Sequence, residues 1–305
     1  MIAGGIYAIR RTMRRLRFLT FALFVSLFIT IGAGDLLAQA QLDPPRPVLS
    51  SRQRSIEVNI SNPSSKPLEV TIDLQYTVVH FDSLGRISIA HDSLTDDERS
   101  RDCSGWLKVF PRRLVLPGGA SRTVRLLAGI PTNTPEGEYW TRLNLDCLPT
   151  EAPAELPKLD SGDVAMGVSM SSVMSTPVLV RVGTIGTGVS VEGVSGVVDS
   201  AGRPNLVCEL SRTGNSPYRG TFTAKVIGAD GNEIAQGSSE TTIEFTGRCG
   251  IALPILGDGA YRVELEGIST RKGSMSEIVV PADPVRRSYS MTIAGGSITM
   301  TPLGN

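Results

Sequence analysis

The sequence predicts an all-β protein of two sandwich domains behind an N-terminal export segment, on three observations. From Ser55 onward, short runs alternate apolar and polar residues and are bounded by Pro and Gly, the pattern of half-buried strands. Nothing after the first forty residues repeats its apolar positions with the 3.6-residue period of a helix. The four cysteines fall as two pairs, one in each half of the chain.

Residues 1–40 carry the three parts of a secretory leader. Arg10, Arg11, Arg14, Arg15 and Arg17 are basic, Phe18 to Ile31 is apolar, and Ala38-Gln39-Ala40 offers a small-x-small cleavage site before Gln41. The apolar run falls short of the ~20 residues of a bilayer span, and Gly32, Gly34 and Asp35 interrupt it. Met13 is an alternative start, since every part of the leader that export needs follows it. Beyond residue 40 no apolar stretch is long enough to span, so the mature chain is expected to have no membrane span. Cleavage removes five arginines and one aspartate and leaves 25 basic against 29 acidic residues. That balance argues against a nucleic-acid partner, which would call for a basic face.

Export leads to an oxidising compartment, where an even number of cysteines implies disulfides. One bridge per domain is expected, Cys103–Cys147 and Cys208–Cys249, each closing a loop worth roughly 4 kcal/mol in the chain-entropy model. No CxxC or Cys/His cluster supports zinc or a redox centre.

The first domain is expected over residues 44–182. Its strand signals are Ser55–Ser61, Leu68–Phe81, Arg86–Ala90, Trp106–Phe110, Arg122–Leu127, Tyr139–Asp146, Val164–Met170 and Val178–Val182. A loop holding Pro149, Pro153 and Pro157 separates the sixth from the seventh. Between Trp106 and Leu143, two alternating segments flank Pro117-Gly118-Gly119, and Gly137-Glu138-Tyr139-Trp140 opens a third. This order resembles the N-terminal immunoglobulin-like domain of periplasmic pilus-assembly chaperones, the PapD-like family. The resemblance covers roughly residues 44–182 and implies a protein that binds other proteins and does no covalent chemistry.

The second domain is expected over residues 183–294, entered through the linker Gly183–Gly188. Its strand signals are Val189–Val198, Leu206–Leu210, Gly220–Ile227, Glu240–Phe245, Ala260–Glu266 and Glu277–Val280, with Asp230-Gly231-Asn232 as a hairpin turn. Gly257-Asp258-Gly259-Ala260-Tyr261 resembles the start of strand F in immunoglobulin folds, where a tyrosine corner pins the chain, and Tyr139 suggests the same in the first domain. Neither cysteine pair has the usual immunoglobulin spacing. Residues 295–305 are expected to form a loose tail.

Enzyme chemistry finds little support. There are two histidines, His80 in an alternating run and His91 in the polar loop HDSLTDDERSRD, and no GxSxG nucleophile motif. Asp92, Asp96, Asp97 and Glu98 have oxygens that suit calcium, but the spacing lacks an EF-hand glycine and favours a solvated loop. GTIGTG at Gly183–Gly188 lacks a following Lys and leads into no helix, unlike a phosphate loop. No cofactor, metal or catalytic residue is expected.

The binding candidate is Asp163–Arg181, in which Val164, Met166, Val168 and Met170 alternate with small residues. In PapD-like chaperones such a row completes the open sheet of a client subunit by strand addition. Backbone bonds supply affinity there, and alternate side chains fill pockets; methionine suits pockets of varied shape. The competing reading is an edge strand with its apolar face turned to its own core. The resemblance also places Arg46 on the arginine that grips the client's terminal carboxylate. Arg142 and Arg181 fall in strands where the family carries basic residues, and Pro177 stands where the family has a lysine. Proline offers neither that charge nor a backbone N–H.

These readings imply a periplasmic chaperone that holds a pilus or surface-fibre subunit, with an outer-membrane usher as a further partner. The alternative is an exported structural or adhesive protein of the cell-envelope surface. A sugar- or calcium-binding module is a third reading, with Trp106 and Trp140 the two tryptophans available for stacking.

Overall fold

The computed structural model describes residues 40–90, 92–150, 171–199, 201–270 and 278–304. The leader before Ala40, His91 and the row Val164–Met170 lie outside the described residues. Ala40 is buried in the first-domain core, and the first strand begins at Gln41.

The first domain runs β1 (Gln41–Asp43), β2 (Val48–Ser50), β3 (Ser55–Ser61), β4 (Leu68–Gln75), β5 (Val78–Phe81), β6 (Ile87–Ala90), a one-turn helix α1 (Asp96–Arg99), β7 (Leu107–Phe110), β8 (Arg113–Leu116), β9 (Ser121–Ala128), β10 (Gly137–Pro149) and β11 (Ser172–Val182). One sheet has the order β1-β3-β9-β7, and the facing sheet has the order β2-β11-β10-β4-β8. The chain passes repeatedly between the sheets, and two of these crossings, β1 to β2 and β7 to β8, hold prolines, Pro44-Pro45 and Pro111. Proline cannot donate to a ladder, so pairing stops there and the strand is free to change sheets. Strict alternation fills the core: on β9, Val124, Leu126 and Ala128 point inward while Arg125 and Leu127 point out.

The second domain comprises β12 (Thr187–Val198), β13 (Pro204–Gly214), β14 (Tyr218–Ile227), β15 (Glu233–Ile243), β16 (Thr246–Ala252), β17 (Gly259–Ser269), β18 (Val285–Ala294) and β19 (Ser297–Leu303). They form a single sheet in the order β15-β14-β17-β18-β19-β12-β13-β16. The sheet coils until its two end strands abut: a Cβ on Gly237 of β15 would collide with the Ala252 carbonyl of β16. The domain is therefore a sheet coiled on itself around a core of Leu206, Phe222, Val226, Ile251, Val263 and Met291. Asp230-Gly231-Asn232 makes the predicted turn between β14 and β15, with Gly231 at φ 80°.

Three expectations need correction. The loose tail expected over 295–305 gives way, in its described residues, to a strand: Gly295 and Gly296, both at positive φ, turn the chain into β19, which pairs with β18 and touches β12. Among Glu277–Val280, the described residues Ile278 to Val280 form no strand and tuck beneath the domain junction, with Ile278 only 1% exposed. Leu68–Phe81 is two strands, because Tyr76 and Thr77 leave the sheet and β5 pairs with β6 as a separate hairpin.

That hairpin leans on the second domain. Phe81 packs into the second-domain core, and a Cβ on Gly85, at φ 74°, would strike the Gly250 backbone of β16. A third apolar cluster joins the domains: Tyr76, Val78, Leu94, Trp140 and Leu179 from the first enclose Ile278, with Phe245 against them.

Candidate protein-binding edge and domain junction

β11 is the continuation of the predicted binding row. Over its whole length it pairs antiparallel with β10, from Ser172 opposite Cys147 to Val182 opposite Gly137. On its other side β2 pairs in parallel only from Leu179 to Arg181. Among the described strands, Ser172–Pro177 therefore has a ladder on one side alone. Its side chains alternate: Met174 and Thr176 turn toward the core, while Val173 is 61% exposed.

Arg46 is half-buried just ahead of β2. The Thr176 hydroxyl donates to the Pro45 carbonyl at 2.5 Å, and the Leu179 amide donates to the Pro47 carbonyl at 3.0 Å. These two bonds bring the Arg46 backbone alongside Pro177. From the other side Arg142 of β10 stands directly opposite Pro177, its Nε donating to Thr77 Oγ1 at 2.8 Å. Burial pulls the Arg142 guanidinium below its usual range, opposed by the nearby Glu244 carboxylate. Arg46 and Arg142 thus flank the position where the family lysine would stand. Register brings them together, and sequence spacing gives no sign of it.

The junction between the domains is held by a buried ionic cluster. Glu138, fully enclosed, accepts from Arg181 Nε at 2.9 Å and from Arg219 Nη2 of the second domain at 2.8 Å. Both guanidinium groups also donate to the Ile278 carbonyl. Such a cluster contributes little net stability when complete, but losing one member leaves an uncompensated buried charge. Glu244, between β15 and β16, reaches into the first domain: its Oε2 accepts from the Val79 amide at 2.7 Å. Burial pushes its carboxyl up to about 7, despite the opposing pull of the Val79 amide, Arg219 and Arg142. The indole of Trp140 donates to the Thr77 carbonyl and packs on Phe245.

Both predicted tyrosine corners form. Tyr139 donates to the Pro135 carbonyl at 2.9 Å and Tyr261 to the Gly257 carbonyl at 2.8 Å.

The acidic loop is a structured cap. Thr95 and Glu98 make a reciprocal capping box for α1, placing Asp96, Asp97 and Glu98 in its first turn. Glu98 also bonds His80 Nε2 at 2.9 Å. Among the described residues no group of three or more His, Cys, Asp or Glu side chains is arranged to hold a metal ion.

All four cysteines are buried, and none is bridged in the structure. The expected Cys103–Cys147 bridge is ruled out by geometry. The Cys103 amide donates to the Trp140 carbonyl at 3.3 Å, whereas Cys147 lies seven residues further along the same strand. At a rise of ~3.3 Å per residue that is roughly 23 Å away, far beyond the ~7 Å limit for a disulfide. Cys208 and Cys249, by contrast, stand directly opposite one another on β13 and β16.

No family model and no curated protein matches this sequence. Solved structures are similar to it at low identity. The YadV chaperone is 12% identical with a TM-score of 0.43, the match covering 81% of this chain and 98% of that one. The E. coli chaperone DraB is 14% identical with a TM-score of 0.41, covering 81% and 95%. The Salmonella enterica SafA pilin in complex with the SafB chaperone gives 12%, 0.41, 82% and 96%. At such scores these likenesses do not carry the function, which has to come from the chain's own residues.

Proposed function

We propose that this chain is a periplasmic chaperone-like protein that holds a surface-fibre subunit by strand addition and does no covalent chemistry. The observation that carries this is the open outer side of Ser172–Pro177 on β11, which follows directly on the alternating row Val164, Met166, Val168, Met170. An unpaired edge is a template for another chain's strand. β10 ends at Pro149, two residues past Cys147, which faces Ser172, and we assign the row that precedes β11 in the sequence to a client's sheet. The buried junction fixes the second domain against the first, giving the row a rigid base.

Arg46 and Arg142 beside Pro177 supply the positive charge that a client's terminal carboxylate would need, in place of the absent lysine. Co-expression with a surface-fibre subunit lacking its own last strand tests the proposal. A one-to-one soluble complex recovered from the periplasmic fraction is expected. A subunit that aggregates equally with and without this chain would overturn it.

A further inference from the structure

We propose that Cys208 and Cys249 form a cross-strand disulfide, and that this bond pins β16 as the platform on which the first-domain hairpin rests. The inference stands apart from strand addition. The two residues are directly opposite on adjacent antiparallel strands, where Cα atoms sit ~4.5–5.5 Å apart, within the ~4.4–6.8 Å that a disulfide spans. Both thiols are shut inside the same core.

The consequence lies in what β16 touches. It is one end of the eight-stranded sheet and, among the described strands, pairs only with β13, through Asn205–Ser211. Its Cys249-Gly250 backbone lies directly under Gly85 at the tip of the β5–β6 hairpin, and the Gly247 backbone lies under Phe81. A covalent tie at Cys249 therefore fixes the surface that receives the hairpin. Cys103 and Cys147 lie too far apart to compete for pairing, so the chain has one productive pair.

The chemistry is thiol–disulfide exchange with an external disulfide. One thiolate attacks the donor disulfide, forms a mixed disulfide and releases one thiol. The second cysteine, losing its proton, displaces the other half as a second thiol. The protein pair is oxidised by two electrons and the donor disulfide is reduced to two thiols. Because the folded pair is enclosed, the bond forms before the core closes.

The test refolds the full chain with oxidised and reduced glutathione, alkylates remaining thiols under denaturing conditions and maps the peptides. A single Cys208–Cys249 bridge with Cys103 and Cys147 alkylated is expected. Four alkylated cysteines, or any bridge to Cys103 or Cys147, overturns the assignment. Hydrogen exchange on the oxidised and reduced wild-type chain reads the platform, avoiding variants that fail to fold. Slower exchange at Phe81–Ile87 in the oxidised form is expected, with a melting temperature higher by on the order of 10 °C. Identical hairpin exchange in both redox states overturns the platform role.

Discussion

Glu138 of the first domain and Arg219 of the second meet at 2.8 Å in a junction closed to solvent, and Arg181 completes the group at 2.9 Å. One carboxylate thus holds two guanidinium groups from opposite sides of the interdomain boundary, at the C-terminal end of the strand that carries the proposed binding edge.

Replacing Glu138 with Ala should leave two buried cations without their anion. The expected loss is about 3–5 kcal/mol, read as a lower urea midpoint for the transition. A change below ~1 kcal/mol would mean that the cluster is hydrated or rearranged.

Glu244 makes stability depend on pH in a definite direction. Its folded value is raised to about 7 from 4.5, so between those values the unfolded chain releases its proton first. The contribution of this group to stability is then greatest below pH 4.5, falls as pH rises, and levels off above pH 7. Glu244→Gln should remove that slope and stabilise the protein at pH 8 relative to wild type, by on the order of 3 kcal/mol, less what the Val79 bond loses. Thermal melts of both proteins from pH 5 to 8 check this; parallel curves would contradict it.

Gly137 opens β10 at φ 149°, where a Cβ would run into Arg101 Nη1 and come within 2.8 Å of the Asn215 carbonyl. That carbonyl accepts from the Glu138 amide at 3.0 Å. Gly137→Val should therefore cost about 1–3 kcal/mol and loosen the domain junction. Denaturant titration, with exchange rates at Glu138 as a local probe, reads both effects.

The strands that sequence reveals are those with one buried face. Ser55–Ser61 is legible to the residue because Val58 and Ile60 alternate with Glu57 and Asn59. β19 hides because its residues are exposed or only half-buried, and the sheet holds it chiefly through backbone pairing; the Gly295-Gly296 turn was its one sign. β1 and β2 are three residues each, too short for a period to show. The tyrosine corners could be read because their partner lies four residues upstream. The Glu138–Arg219 pair spans 81 positions, and Arg46 meets Pro177 only through strand register, so neither leaves a local pattern. Cysteine order likewise does not determine connectivity, and the pairing it suggests for Cys103 is one that residue cannot reach.

The row Val164–Met170 carries the central claim, and Val168→Asp tests it most directly. If the row extends beyond its own sheet, the isolated protein should melt within about 2 °C of wild type. Capture of the fibre subunit should then be lost, since each apolar side chain buried in a joint sheet contributes roughly 1.5–3 kcal/mol and a carboxylate adds desolvation. A drop in melting temperature large enough to signal a charge buried in the first-domain core would contradict the account, because the row would then belong to its own sandwich.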